Sequence, residues 1–188
     1  MSTHLPALIG PFLRRELRSL RLELEAYPDE KLIWALPPGL PNSAGTLALH
    51  LAGNLRHYVG ALLGGTGYVR NRDEEFAARD VPRAVLLEQI AEAEAAIAAT
   101  LPGLSDEQMA QPFPEPIRDQ HLQTGEILVQ LAVHLAYHLG QVSYHRRVIT
   151  GDVQGESARC PRRSWWRPGP DHRTLFRKEG LEEWHSVW

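Results

Sequence analysis

The sequence predicts an all-α protein: a four-helix bundle followed by an irregular C-terminal extension. Three observations carry this. Apolar residues recur at helical spacing in four long segments. No segment alternates apolar and polar residues as a half-buried strand would. One long connection, Pro102 to Gln123, separates the third helix from the fourth, as a bundle with a crossover requires.

The first helix is expected to open near Pro6 or Pro11, because proline is tolerated in an opening turn. Phe12, Leu13, Glu16, Leu17, Leu20 and Leu24 mark its inner stripe, and Arg14, Arg15, Arg18 and Arg21 its wet face. Tyr27-Pro28-Asp29 ends it, with a short helical turn over Glu30–Leu36 before Pro37 and Pro38. Asn42 and Ser43 are natural N-caps for the second helix, Ala44 to about Leu63, which Gly64 and Gly65 stop. Its inward stripe contains Thr46, Leu47, His50, Asn54, His57, Tyr58 and Ala61. Tyr68 to Phe76 is read as a charged loop that covers a site or meets a partner.

Asp80 and Pro82 open the third helix, which buries Leu86, Ile90, Ala93, Ile97 and Leu101. Ser105 and Gln108 form a capping-box pattern that starts one short turn. Thr124 is expected to cap the fourth helix, which runs to Thr150 and stops at Gly151. Ile127, Leu131, His134, His138, Gln141, Val142, His145 and Val148 lie on one of its stripes. The opposite side, Val129, Ala132, Val133, Ala136, Gly140 and Ser143, is also apolar or small, so this helix is predicted to be buried all round. The row Ala132, Ala136, Gly140, Ser143 is expected to pack against another helix, within the chain or across a dimer.

Residues 1–151 therefore form the bundle and residues 152–188 an irregular extension. The extension holds four of the five tryptophans, among them Trp165, Trp166 and Trp184, and is expected to dock on the bundle or on a neighbour. The formal net charge of −3 argues against nucleic acid as a partner. No apolar run is long enough to span a membrane. The N-terminus lacks an export signal, and the single Cys160 has no partner for an internal disulfide, so the expected compartment is the cytoplasm.

His134-x-x-x-His138 is a weak motif alone, but both members fall on the inner stripe of a helix and His50 falls on that of another. Three imidazoles with one position left open suit a divalent metal. Core histidines satisfied by ordinary hydrogen bonds are the competing reading. Asn54, Gln141 and His57 are candidates for polar groups around such a site, while His145 is expected to be half-exposed at a helix end. His4, His121, His172 and His185 fall in loops or the extension. Glu182-x-x-His185 matches half of a di-iron signature, but no second copy or inward glutamates accompany it. Cys160 has no base to activate it, and the Gly64–Gly67 run lacks the Lys-Ser/Thr of a phosphate loop.

The runs Thr46–Tyr58, Arg70–Phe76 and Leu131–Gln141, in that order, resemble the DinB-like superfamily of metal-dependent bundle proteins over roughly residues 5–150. The resemblance implies an up-down-down-up bundle, often a homodimer. It also implies a divalent ion, zinc or nickel, on His50, His134 and His138. Members include hydrolases, thiol S-transferases and a thiol-dependent isomerase. The expected function is thus a metal-dependent enzyme that activates water or a small thiol cofactor toward an unknown small molecule. The alternative is a non-catalytic dimeric stress or ligand-binding protein with a structural metal or none.

Overall fold

The computed structural model describes residues 4–116, 119 and 121–152. The extension beyond Asp152, with Cys160, Trp165, Trp166, Trp184 and His185, lies outside the described residues. Helix α1 spans Leu5–Glu25, α2 Ala44–Leu55, α3 Arg72–Ala77, α4 Arg83–Thr100, α5 Asp106–Met109 and α6 Thr124–Thr150. A 3₁₀ turn covers Glu30–Trp34, and α2 continues as a π-helix over Arg56–Leu63. No strand occurs among the described residues, and the four long helices make a bundle.

Helix α1 packs principally against α4 and α6, and α2 against the same two, so α1 and α2 lie diagonally opposite. This ring order puts α2 beside α6 and lets their stripes meet. The shared core includes Leu13, Leu17 and Leu20 of α1, Leu47, Leu51 and Leu55 of α2, Leu86, Ile90 and Ile97 of α4, and Leu128, Leu135 and Val142 of α6. Phe12, expected inside, is 51% exposed because it falls off the Leu13–Leu17–Leu20 stripe.

The most buried helix is α2, not α6. Every residue from Ala44 to Leu55 is buried, in a run without a single charged side chain. Ser43 caps it, its hydroxyl accepting from the Thr46 N–H at 3.1 Å. The π-helical continuation was not legible in the sequence. Its i→i+5 bonding widens the turn, so side chains beyond Arg56 fall back from α-helical phase.

Helix α6 departs from expectation in three ways. Its start is capped by Gln123, not Thr124: the Gln123 N–H donates to Glu126 at 2.8 Å, completing a capping box. Its outer side is open, with Val129, Val133, Tyr137, Tyr144 and Val148 all exposed. No helix among the described residues covers the small-residue row there. Ala136 and Gly140 are exposed, Ala132 is half-buried, and only Ser143 is buried. Gly151 ends the helix at φ 69°, a left-handed conformation that glycine adopts without steric cost.

The far end of α6 is locked by two buried polar contacts. His145, expected to be half-exposed, is 2% exposed. Its Nε2–H donates to the Ala35 carbonyl at 2.7 Å, leaving Nδ1 to accept from the Tyr27 hydroxyl at 2.7 Å. Burial holds this imidazole below its ordinary pKa, with the Ala35 contact opposing, and burial likewise pushes the Tyr27 phenol up. Arg146 is fully buried, its Nε 2.5 Å from Glu23 of α1 and its Nη1 2.8 Å from Asp152. These contacts fasten α1, the 3₁₀ segment and α6 together away from the histidine pair.

Candidate metal centre

Each imidazole reaches the centre from a different backbone position. His50 comes from the buried interior of α2, and His134 and His138 from successive turns of α6, where they are half-buried. One ring nitrogen from each lies within 4.8 Å of the others. His50 Nε2 and His134 Nε2 are 3.2 Å apart. The three rings stand nearly perpendicular to one another, at 83°, 90° and 88°, with centroids 4.6 to 5.5 Å apart.

That arrangement suits a cation. Two imidazole nitrogens on one tetrahedral zinc, each about 2.0–2.1 Å from the ion, stand about 3.3 Å apart. The outward nitrogens are already engaged. His50 Nδ1 lies 3.1 Å from Glu75 Oε2, and His138 Nδ1 lies 2.6 Å from Gln141 Oε1. A ring that donates its Nδ1–H to such an acceptor keeps its lone pair on Nε2, directed at the centre. Burial holds the His138 imidazole below its ordinary pKa. The Gln141 contact opposes this and the neighbouring His50 ring reinforces it, so the neutral, ligating form prevails at neutral pH.

Glu75 and Arg70 are the site residues that sequence reasoning missed. The segment expected to be a charged loop forms α3, capped by the Asn71 side chain on Glu74 N–H at 3.2 Å, and it turns Glu75 inward. Arg70 grips that carboxylate with two parallel bonds, Nε to Oε1 at 2.7 Å and Nη2 to Oε2 at 2.8 Å. Burial alone would raise the Glu75 pKa; the bonds from Arg70 and His50 outweigh it and hold the carboxyl below its usual range. Gly53 makes room for this contact. A Cβ there would lie 2.1 Å from Glu75 Oε1, a clash against a side chain that Arg70 holds in place. The expectation that this segment covers a site is met, through a residue type and a helix that no local pattern announced.

Of the polar candidates, only Gln141 touches a ligand ring. It is exposed, yet it reaches back to His138 along its own helix. Asn54 is buried, and its Oδ1 has no hydrogen-bond partner. His57 bonds through Nε2 to Glu115 at 3.3 Å. His4, a loop residue as expected, pairs with Asp106 at 2.6 Å at the start of α1. Aromatic rings flank the centre: Phe76 lies 4.9 Å from the His50 ring and Tyr137 5.1 Å from that of His138.

The donor set is three neutral imidazoles, and the one nearby carboxylate is neutralised by Arg70. A divalent ion held there would keep nearly its full charge and would favour an anionic further ligand. No helix among the described residues is long and apolar enough to cross a membrane. No curated protein sequence matches the chain. The family model of the DinB superfamily matches residues 13–142, a span that holds all three histidines, Glu75 and Gln141. The fold, the order of the helices and the histidine cluster agree with that match, and the chain belongs to the DinB superfamily.

Proposed function

We propose that this protein is a cytoplasmic metalloenzyme in which His50, His134 and His138 hold one divalent ion, zinc or nickel, and that it acts on a small molecule with water or a low-molecular-weight thiol. The observation that carries this is the convergence of three imidazoles, two of them half-buried, with the outer nitrogens of His50 and His138 tied down by Glu75 and Gln141. The chemistry such an ion supplies when bound is Lewis acidity, which lowers the pKa of a water or thiol. Glu75 fixes the tautomer and orientation of His50, and Arg70 keeps Glu75 ionised. Gln141 does for His138 what Glu75 does for His50. A merely structural ion is better served by a closed four-ligand cage than by three imidazoles at a partly exposed edge, which favours the enzyme over the binding or stress protein.

The test is cobalt(II) substitution followed by titration with a small thiol and, separately, with azide. A bound cobalt with an exchangeable position gives a thiolate-to-cobalt absorption band and a shift of its visible spectrum with azide. No change with either would leave only the structural reading.

We also take the protein to be a homodimer joined through the outer face of α6. Val129, Val133, Tyr137 and Tyr144 are 47 to 71% exposed there, and no charged residue occurs between Ile127 and Tyr144. An apolar helix face of that length is costly to leave in water. Ala136 and Gly140 permit close approach of a second helix. Sedimentation of the wild-type protein should give twice the chain mass, and Val133→Glu should give the monomer; a monomeric wild-type protein would remove this assignment.

A further inference from the structure

Asn54 and His57 follow His50 along α2 and its π-helical continuation, and each buries a polar atom without a partner: Asn54 Oδ1 and His57 Nδ1. An unpaired buried acceptor costs about 1–3 kcal/mol, so two on neighbouring turns call for a bound group. Residues three apart on a helix bring their Cβ atoms to about 5–6 Å, close enough for one group to reach both. His57 donates Nε2–H to the Glu115 carboxylate at 3.3 Å, which leaves its Nδ1 as an acceptor. What is lacking is therefore a donor with more than one N–H.

The local charge favours a cation. Glu115 is held over His57 by a loop whose Phe113 is buried against Tyr58, at 6.0 Å between rings. The two nearby cations are both committed, Arg70 to Glu75 and Arg56 to Glu92 at 2.9 Å. The Tyr58 ring, 4.9 Å from that of His57, supplies an aromatic wall of the kind that suits an alkylammonium group.

We propose that Asn54 Oδ1 and His57 Nδ1, with Glu115 behind them, form a subsite for a protonated primary amine of the substrate, one to two helical turns from His50. This rests on the enzyme reading above for the meaning of "substrate", and it narrows the substrate class to amine-bearing small molecules. The subsite itself exists with or without a metal.

The test is titration of the protein, as isolated and after chelation, with methylammonium, tetramethylammonium and acetate. Nitrogen-15 NMR of the His57 ring and the Asn54 amide reports binding. Methylammonium should shift both signals saturably in both states. Tetramethylammonium, which has the charge but no N–H, and acetate should not. Asn54→Leu should weaken methylammonium at the His57 ring by at least about tenfold, the loss of one good hydrogen bond. Glu115→Gln, on a surface loop and so harmless to folding, should weaken it while leaving the spectrum otherwise intact. Absence of a saturable shift, equal binding of tetramethylammonium, a response to acetate instead, or unchanged affinity in Asn54→Leu would each overturn the subsite. Failure of the metal reading would appear separately, as absence of metal in the isolated protein.

Discussion

Replacing His134 by alanine is expected to strip the protein of divalent metal while leaving its helix content unchanged. His134 Nε2 lies 3.2 Å from that of His50, so the two form a close edge of the ligand triangle. Losing one of three protein ligands lowers affinity far more than losing a group that orients a ligand. The ring is half-buried on α6 and is not part of the apolar core, so its removal leaves the packing of Leu131 and Leu135 in place. Glu75→Gln should be milder, about 10–100-fold in metal affinity, because it disturbs only the orientation and basicity of His50. Gly53→Ala should resemble it, since the new methyl group must displace the same carboxylate. Elemental analysis after dialysis against a graded chelator, with circular dichroism as the control, reads the series. Full metal retention in His134→Ala would remove the ligand assignment.

Replacing Glu23 by leucine is expected to cost about 3 kcal/mol of stability, the penalty of leaving Arg146 buried with the partly exposed Asp152 as its remaining counter-charge. For a chain of this size that is a fall of roughly 6–12 °C in melting temperature. Coupling the change with Arg146→Met should recover most of the loss, because an apolar pair of similar volume needs no desolvated charge. Glu94, which meets Arg14 and Arg18 at 3.5 and 3.1 Å on the surface, is the control. Its replacement by glutamine should move stability by less than about 1 kcal/mol, since exposed ion pairs trade solvation for weak, screened attraction. Thermal unfolding followed by circular dichroism measures all three. Equal effects at Glu23 and Glu94 would show that burial is not what makes the inner pair matter.

The helices were legible because their evidence is local. Leu13, Leu17 and Leu20 recur with the helical period, Ser43 and Ser105 each cap the turn directly after them, and Gly151 can end a helix in the left-handed conformation. The three histidines were legible for the same reason: each breaks an apolar stripe at helical spacing. Burial was less so. An apolar outer side predicts a buried α6, but periodicity cannot distinguish a face covered by the chain's own core from one left open at Val133 and Tyr137. A half-exposed helix end is likewise the local expectation for His145, because nothing near it in sequence tells of Tyr27 and Ala35, which lie more than a hundred residues away.

By itself, then, the sequence determined an all-helical bundle, the bounds of its long helices and the three imidazoles that face inward, since all of these depend on spacing along one chain segment. Only the tertiary structure decided that α2 is the buried helix and lies beside α6, that Glu75 and Arg70 close around His50, and that Glu23 meets Arg146 in the core. These are pairings between segments far apart in the chain. A side chain's own neighbours in sequence fix which way it points from its helix, but its partner is fixed by how the helices pack, and the orientation of a candidate ligand depends on that partner.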